Sequence, residues 1–266
     1  MSSKTTEGLV GDPIRPQPQP QQAIIVQAPT FKKPTMTYAI APAPVTSLPI
    51  TGSDQRFPVR RVYCVGRNYV EHAKEMGFTG REAPFFFLKP SDAVVVCAKG
   101  ASVDIAYPSL TKDFHHEVEL VVAIGTGGKN IAAAEAAKHI FGYAIGLDMT
   151  RRDLQGESKK TGRPWEIGKA VDQSAPVGPI TPIAHTGEIK SGAISLTVNG
   201  KTTQSSDMDK LIWSVNEIIE HLSVAWELQP GDLIMTGTPE GVAAVVKGDV
   251  MVASAAGVET IIVNVV

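Results

Sequence analysis

The sequence has few cysteines, no excess charge of either sign and no long hydrophobic run. Only Cys64 and Cys97 occur in 266 residues, and they form no CxxC pair. A disulfide framework is therefore not expected, nor is a thiolate zinc site, and the chain suits a reducing compartment such as the cytoplasm. Lys and Arg total 25 against 27 Asp and Glu, a net charge of −2. That balance offers no electrostatic footprint for nucleic acid or for an anionic membrane surface. The uncharged stretch 34–53 is interrupted by Pro34, Pro42, Pro44 and Pro49, so it does not read as a membrane span. No basic start followed by an unbroken apolar run marks a secretory signal.

What is present is enough apolar residue, 43 % of the chain, for one large domain or two small ones. The prolines are unevenly placed: 9 of 19 fall in the first 50 residues. Up to about Gln22 the chain is polar, and Pro16, Pro18 and Pro20 alternate with Gln. Each proline removes a donor and biases its predecessor away from helix, so neither helix nor sheet propagates there. Residues 1–56 therefore read as a proline-rich, partly disordered extension, and 57–266 as the folded domain.

From Phe57 onward the texture is short β-rich runs separated by Gly and Pro. Strands are expected at Arg61–Cys64, Phe85–Leu88, Val94–Cys97, Glu117–Ile124, Gly142–Leu147, Ala193–Val198, Leu233–Met235, Asp249–Ala253 and Glu259–Val265. Asn199-Gly200 is a two-residue hairpin turn signal. The clearest helix follows Asp207 as cap, with Met208, Leu211, Ile212, Val215, Ile218, Ile219 and Leu222 at 3- and 4-residue spacing. Asn130 is expected to cap a short helix ending at His139. Strands and helices do not alternate regularly, which points away from a Rossmann fold or an α/β barrel and toward a β-rich α+β domain.

Three segments could carry chemistry. In Lys112–Val122, Glu117 and Glu119 share one face of a strand whose flanks are strongly apolar. Two such carboxylates repel unless a cation lies between them or one is protonated; an exposed face with solvated acids is the alternative. Asp148 ends the apolar run Gly142–Leu147, where it is either a turn former or a third carboxylate. Three carboxylates would make an all-oxygen site for Mg²⁺ or Mn²⁺. Beyond Cys64–Tyr69, His72 and Glu75 lie one turn apart if residues 70–76 are helical. They form either a surface ion pair or an imidazole oriented by a carboxylate for general-base work. Lys169 and the turn Thr236–Gly241 say little alone.

Taken in order, these segments resemble the fumarylacetoacetate hydrolase superfamily. The likeness runs through Cys64–Tyr69, Phe87-Leu88-Lys89-Pro90, His115–Glu119, Asp148–Gln155, Gly162–Trp165, Lys169, and Gly231-Asp232-Leu233 with Thr236–Gly241. It implies a mixed β-sheet roll of that superfamily's C-terminal-domain type, in a homodimer. It also implies a metal held by Glu117, Glu119 and Asp148, and His72 and Glu75 on a lid over the substrate. Lys169 would then be catalytic, and Arg152, Gln155 and Thr238 would bind substrate. The implied activity is metal-dependent hydrolysis of a carbon–carbon bond in a 2,4-dioxo acid such as 3-fumarylpyruvate, in aromatic (gentisate) breakdown. The alternatives are another acylpyruvase, an oxaloacetate decarboxylase or tautomerase, or a metal-stabilised binding domain without turnover. One departure is Ala243-Ala244, where relatives often carry Gly-Pro.

Overall fold

The computed structural model describes Met1, residues 37–75 and residues 81–266, the side chains of 73–75 excepted. Contacts divide the chain into residues 1–43 and a compact unit, Pro44–Val266. That unit is built on a mixed eight-stranded sheet. Its strand order is Phe85–Lys89, Val62–Gly66, Leu233–Met235, Val118–Ile124, Ile140–Leu147, Ala175–Val177 and Val94–Val96, and Thr181–Pro182 pairs beside Ile140–Leu147. Most neighbours run antiparallel, but Leu233–Met235 is parallel to Val62–Gly66, and Ala175–Val177 to Val94–Val96. A five-stranded sheet, from Lys201–Asp207 to Ser102–Ile105, and a three-stranded sheet complete the β structure. This is the β-rich α+β roll the sequence implies. Among the described residues, no helix is long and apolar enough to cross a membrane.

The central strands are almost wholly apolar, Glu119 excepted, because both faces are covered. All seven residues of Val118–Ile124 are buried. Leu120, Val122 and Ile124 join a large core with Ile145, Leu196, Ile219 and Val263. Val121 and Ala123 face a second, smaller core with Cys64, Ala144, Leu233 and Met235. That second core includes Leu48, Ile50 and Phe57 from the hairpin Ser47–Ile50 and Ser53–Pro58. The compact unit thus starts before residue 57, because this hairpin roofs one face of the sheet.

Other expectations also change. The chain passes from one sheet to another at Glu117: Phe114–His116 belongs to the three-stranded sheet, and Val118–Ile124 to the central one. Gln204 pins the junction, accepting from Val118 N–H at 3.0 Å and from His116 Nδ1 at 2.9 Å. Asp207 caps only a single 3₁₀ turn, Met208–Lys210. The helix itself is Val215–Ala225, opened by a capping box of Ser214 and Glu217. Leu211 and Ile212 are taken instead by the backbone of Tyr69 and Asn68. Asn130 has φ 54° and caps nothing; Glu220 accepts from Ala133 N–H at 3.0 Å at the start of the 3₁₀ segment Ala133–His139. Ala243-Ala244 opens the strand Ala243–Val245, which pairs with Phe114–His116.

Candidate active site

The site continues the face of the smaller core. On Val118–Ile124, Glu119 shares its parity with Val121. On Ile140–Leu147, Ala144 and Gly146 precede Asp148 on the same side. One ligand oxygen from each of Glu117, Glu119 and Asp148 lies within 4.8 Å of the others, and all three residues are buried.

Lys169 enters from the short helix Glu166–Lys169, and its ammonium uses all three protons. It donates to Glu117 Oε2 at 2.8 Å, Asp148 Oδ2 at 2.7 Å and Thr150 Oγ1 at 2.7 Å. Arg152 and Gln155 stand one turn apart on the helix Arg152–Thr161. Arg152 pairs with Glu117 through Nη2 and donates to Gln155 Oε1 at 2.6 Å. Thr238 Oγ1 accepts from Gln204 Nε2 at 2.8 Å, so the residue that fixes the Glu117 junction also sets Thr238. His72, buried on the helix Val70–Glu75, lines the same cavity as Arg152, Gln155, Lys169 and Thr238. The Glu75 side chain lies outside the described residues, so the expected pairing with His72 stays an expectation.

The sequence reading gave no role to Lys89. It ends the strand Phe85–Lys89, is 1 % exposed, and lies 2.8 Å from Asp148 Oδ1. It also donates to Met149 O at 3.1 Å and Ser174 Oγ at 3.0 Å. An isolated Lys closing an apolar strand before Pro90 was the available signal. Gln204 left none, sitting among Ser and Thr on an amphipathic strand.

These contacts set the protonation of the acids. Burial acts upward on Glu117, but Lys169 and Arg152 outweigh it and hold its carboxyl far below the usual range. Burial also opposes the Lys169 charge, and Asp148 and Glu117 more than restore it. Glu119 differs: burial, then Asp148 and Glu117, push its carboxyl well above the usual range. It accepts a hydrogen bond from Gly237 N–H at 2.7 Å. Gly237 makes this approach at φ 100°, where a Cβ would come within 2.7 Å of Asn68 Cβ. Among the described residues no cation pairs with Glu119. A buried carboxylate without a cation, beside two others, fits a hard divalent ion with oxygen ligands.

Residues 61–266 match the sequence family described as fumarylacetoacetate (FAA) hydrolase C-terminal. The chain belongs to this family. Among relatives of known name, a fumarylpyruvate hydrolase of a Ralstonia species is 48 % identical over 180 residues, 68 % of this chain and 91 % of the relative. An oxaloacetate tautomerase of Escherichia coli is 40 % identical over 194 residues, 73 % of this chain and 87 % of the relative. A crystal structure of fumarylpyruvate hydrolase from Pseudomonas aeruginosa, in complex with Mn²⁺ and pyruvate, superimposes with a TM-score of 0.85. It is 56 % identical and covers 86 % of this chain and 99 % of its own. Within the fumarylacetoacetate hydrolase family, then, the chain is similar to proteins of two activities that both act on 2-oxo acids.

Proposed function

We propose that this protein is a metal-dependent hydrolase of a carbon–carbon bond in 2,4-dioxo acids, with 3-fumarylpyruvate as substrate and fumarate and pyruvate as products. The observation that carries the reading is the buried carboxylate triad beside Lys169, with Glu117 and Glu119 lining the cavity that Lys169 and His72 also line, in a chain 56 % identical to a fumarylpyruvate hydrolase. Glu117, Glu119 and Asp148 would hold Mg²⁺ or Mn²⁺. When bound, the ion supplies Lewis-acid polarisation of the substrate's 2-oxo oxygen and a template for its carboxylate.

The remaining steps belong to the chain's own groups. His72 takes a proton from water as its oxygen adds to the fumaryl carbonyl carbon; Glu75, one turn on, would orient the imidazole. The bond between that carbon and the pyruvoyl methylene then breaks, and its electron pair passes to the pyruvoyl fragment as an enolate. Lys169 Nζ faces the developing charge. The proton taken by His72 passes to the methylene carbon, which completes pyruvate and returns His72 to its neutral form. Arg152, Gln155 and Thr238 position the polar groups of the substrate. The same reading places the enzyme as a homodimer in the cytoplasm, in the breakdown of aromatic compounds, with no nucleic-acid or membrane partner.

A second reading, oxaloacetate tautomerisation or decarboxylation, is favoured by the 40 % identity to the E. coli tautomerase and needs the enolate site but no hydrolytic water. The separating experiment incubates the protein with Mg²⁺ or Mn²⁺ and, in turn, fumarylpyruvate, acetylpyruvate and oxaloacetate. Loss of enol absorbance is followed and the products are identified. Fumarate plus pyruvate in equal amounts is the expected result; turnover of oxaloacetate alone would replace the first reading with the second.

A further inference from the structure

Gln204 stands on the strand Lys201–Asp207, is 1 % exposed, and uses both lone pairs and both N–H groups of its amide. Oε1 takes Val118 N–H and His116 Nδ1, the two bonds that pin the Glu117 junction. Nε2 donates to Thr238 Oγ1 at 2.8 Å and to the Pro239 carbonyl at 2.9 Å. Two of these partners admit only one direction. A backbone N–H can only donate, so the end of the amide facing Val118 is the oxygen. A carbonyl can only accept, so the end facing Pro239 is the nitrogen. The second N–H is thereby committed to Thr238, whose hydroxyl oxygen must accept.

That leaves the Thr238 proton. Among the described residues, the bond from Gln204 is the one the Thr238 hydroxyl makes, and it uses a lone pair. Thr238 is 3 % exposed and lines the same cavity as Glu117, Glu119, Gln155 and Lys169. The hydroxyl has a proton to give, and the cavity is where an acceptor can enter. The turn that carries it is clamped at both ends. Thr236 donates its N–H and its hydroxyl to Leu120 O, and Gly237 N–H goes to Glu119. At the far end Gly241, at φ 87°, lies against the strand of Gln204: a Cβ there would come within 2.2 Å of Thr203 O. Between the clamps, one fully bonded amide holds Thr238 and Pro239. Any slip of that amide would strand a buried polar group without a partner.

We infer that Gln204 is a positioning residue that fixes Thr238 as a hydrogen-bond donor into the cavity, where the hydroxyl proton goes to a carboxylate or oxo oxygen of a 2-oxo acid. The inference deepens the dioxo-acid reading of the site and rests on it. Gln204 thus joins two tasks in one side chain. Its amide oxygen holds the strand junction beside Glu117, and its amide nitrogen sets the polarity of the Thr238 contact with substrate.

The test titrates Mn²⁺-loaded protein with pyruvate by calorimetry in the wild type, Thr238→Val, Gln204→Glu and the double variant. Gln204→Glu keeps an oxygen for Val118 and His116 but replaces the amide donor with a second oxygen, which draws the Thr238 proton to itself. A charge-assisted hydrogen bond corresponds to roughly 10- to 100-fold in affinity. Thr238→Val and Gln204→Glu should each weaken pyruvate by about that factor and raise KM for fumarylpyruvate more than they lower kcat. Thr238→Ser keeps the donor and should bind pyruvate nearly as the wild type does. If Gln204 acts through Thr238, adding Gln204→Glu to Thr238→Val should change pyruvate affinity by no more than about 2-fold. An equal loss in both backgrounds would mean that Gln204 acts through the junction or through charge alone, and overturns the inference. Wild-type affinity in Thr238→Val overturns it too. Should Gln204→Glu fail to fold, Gln204→Met runs the same cycle without an added charge. If the wild type binds pyruvate and leaves fumarylpyruvate intact, the hydrolase reading fails, while the pyruvate cycle still decides the role of Gln204. A wild type that binds no pyruvate overturns the inference as well.

Discussion

Lys169 and Lys89 decide the charge balance of the cavity. Counted along the sequence, Glu117, Glu119 and Asp148 look like an acid excess awaiting a cation. In the fold they meet Lys89, Lys169 and Arg152, so the protein groups are close to balanced when all are ionised. Adding a divalent ion leaves the cavity positive, which suits a dianionic substrate and a developing enolate. Two substitutions separate the roles around that ion. Glu119→Ala should abolish tight Mn²⁺ binding measured by calorimetry, because it removes the acid that pairs with no cation among the described residues. His72→Ala should retain Mn²⁺ binding and lose at least 100-fold in kcat, since general-base catalysis contributes about 10²–10⁴. Normal turnover in His72→Ala would remove His72 from the proton transfer. Lys89→Met poses a different question. Removing one partner of a buried pair typically costs about 3–5 kcal/mol, and the cost here should lie below that range because Lys169 still pairs with Asp148. A urea midpoint close to wild type would show that Lys89 contributes little to holding Asp148.

Among the secondary-structure elements, the strands were the most legible, because a sheet buried on both faces writes itself as an apolar run, as at Val118–Ile124 and Ile140–Leu147. The helix Arg152–Thr161 was not legible, for a physical reason: its buried residues are Gln155 and Ser158, since it packs on a polar site and shows no apolar stripe. Strand parity put only Glu117 and Glu119 on one face, and their grouping with Asp148 came from the family resemblance. Their partners could not be read, because Lys89 and Gln204 come from distant parts of the chain that only strand order brings together. The start of the Val215–Ala225 helix was written in Ser214 and Glu217, but the apolar spacing beginning at Met208 masked it. That cap gives a prediction with a sign. Glu217 carries a carboxyl held below its ordinary value: burial raises it, and hydrogen bonds from Ser214, followed by Arg81, outweigh that. A depressed carboxylate stabilises the fold above its ordinary value, and the contribution is lost as pH falls through the folded value. Glu217→Gln should therefore be less stable than wild type at pH 7, by about 0.5–1 kcal/mol. The gap should close below about pH 4. A gap that stays constant from pH 7 to pH 3 would show that the charge does not matter there.

On the scale of the whole molecule, the decisive feature is that the central sheet has two cores and the site extends from the smaller one. Cys64, Val121, Ala144 and Met235 of that core stand on the strands that lead to Gly66, Glu119, Asp148 and Gly237. Its outer cover is the hairpin Ser47–Ile50 and Ser53–Pro58, which places Leu48 at 0 %, Ile50 at 9 % and Phe57 at 6 % exposure. Pro49 and the exposed run Ser53–Arg56 hide this cover in the sequence. Two shortened chains test it. One beginning at Pro44 keeps the hairpin and should melt within a few degrees of the full chain, with its activity retained. One beginning at Phe57 loses Leu48 and Ile50, and each large-to-small loss of that kind costs about 2–5 kcal/mol. Together they approach the ~5–15 kcal/mol that holds an ordinary domain together. The shorter chain should therefore melt far lower or fail to fold, and any folded fraction should bind Mn²⁺ more weakly as the site's supporting face opens. Equal melting temperatures for the two chains would mean that the hairpin is an appendage and that the fold begins at residue 57 after all.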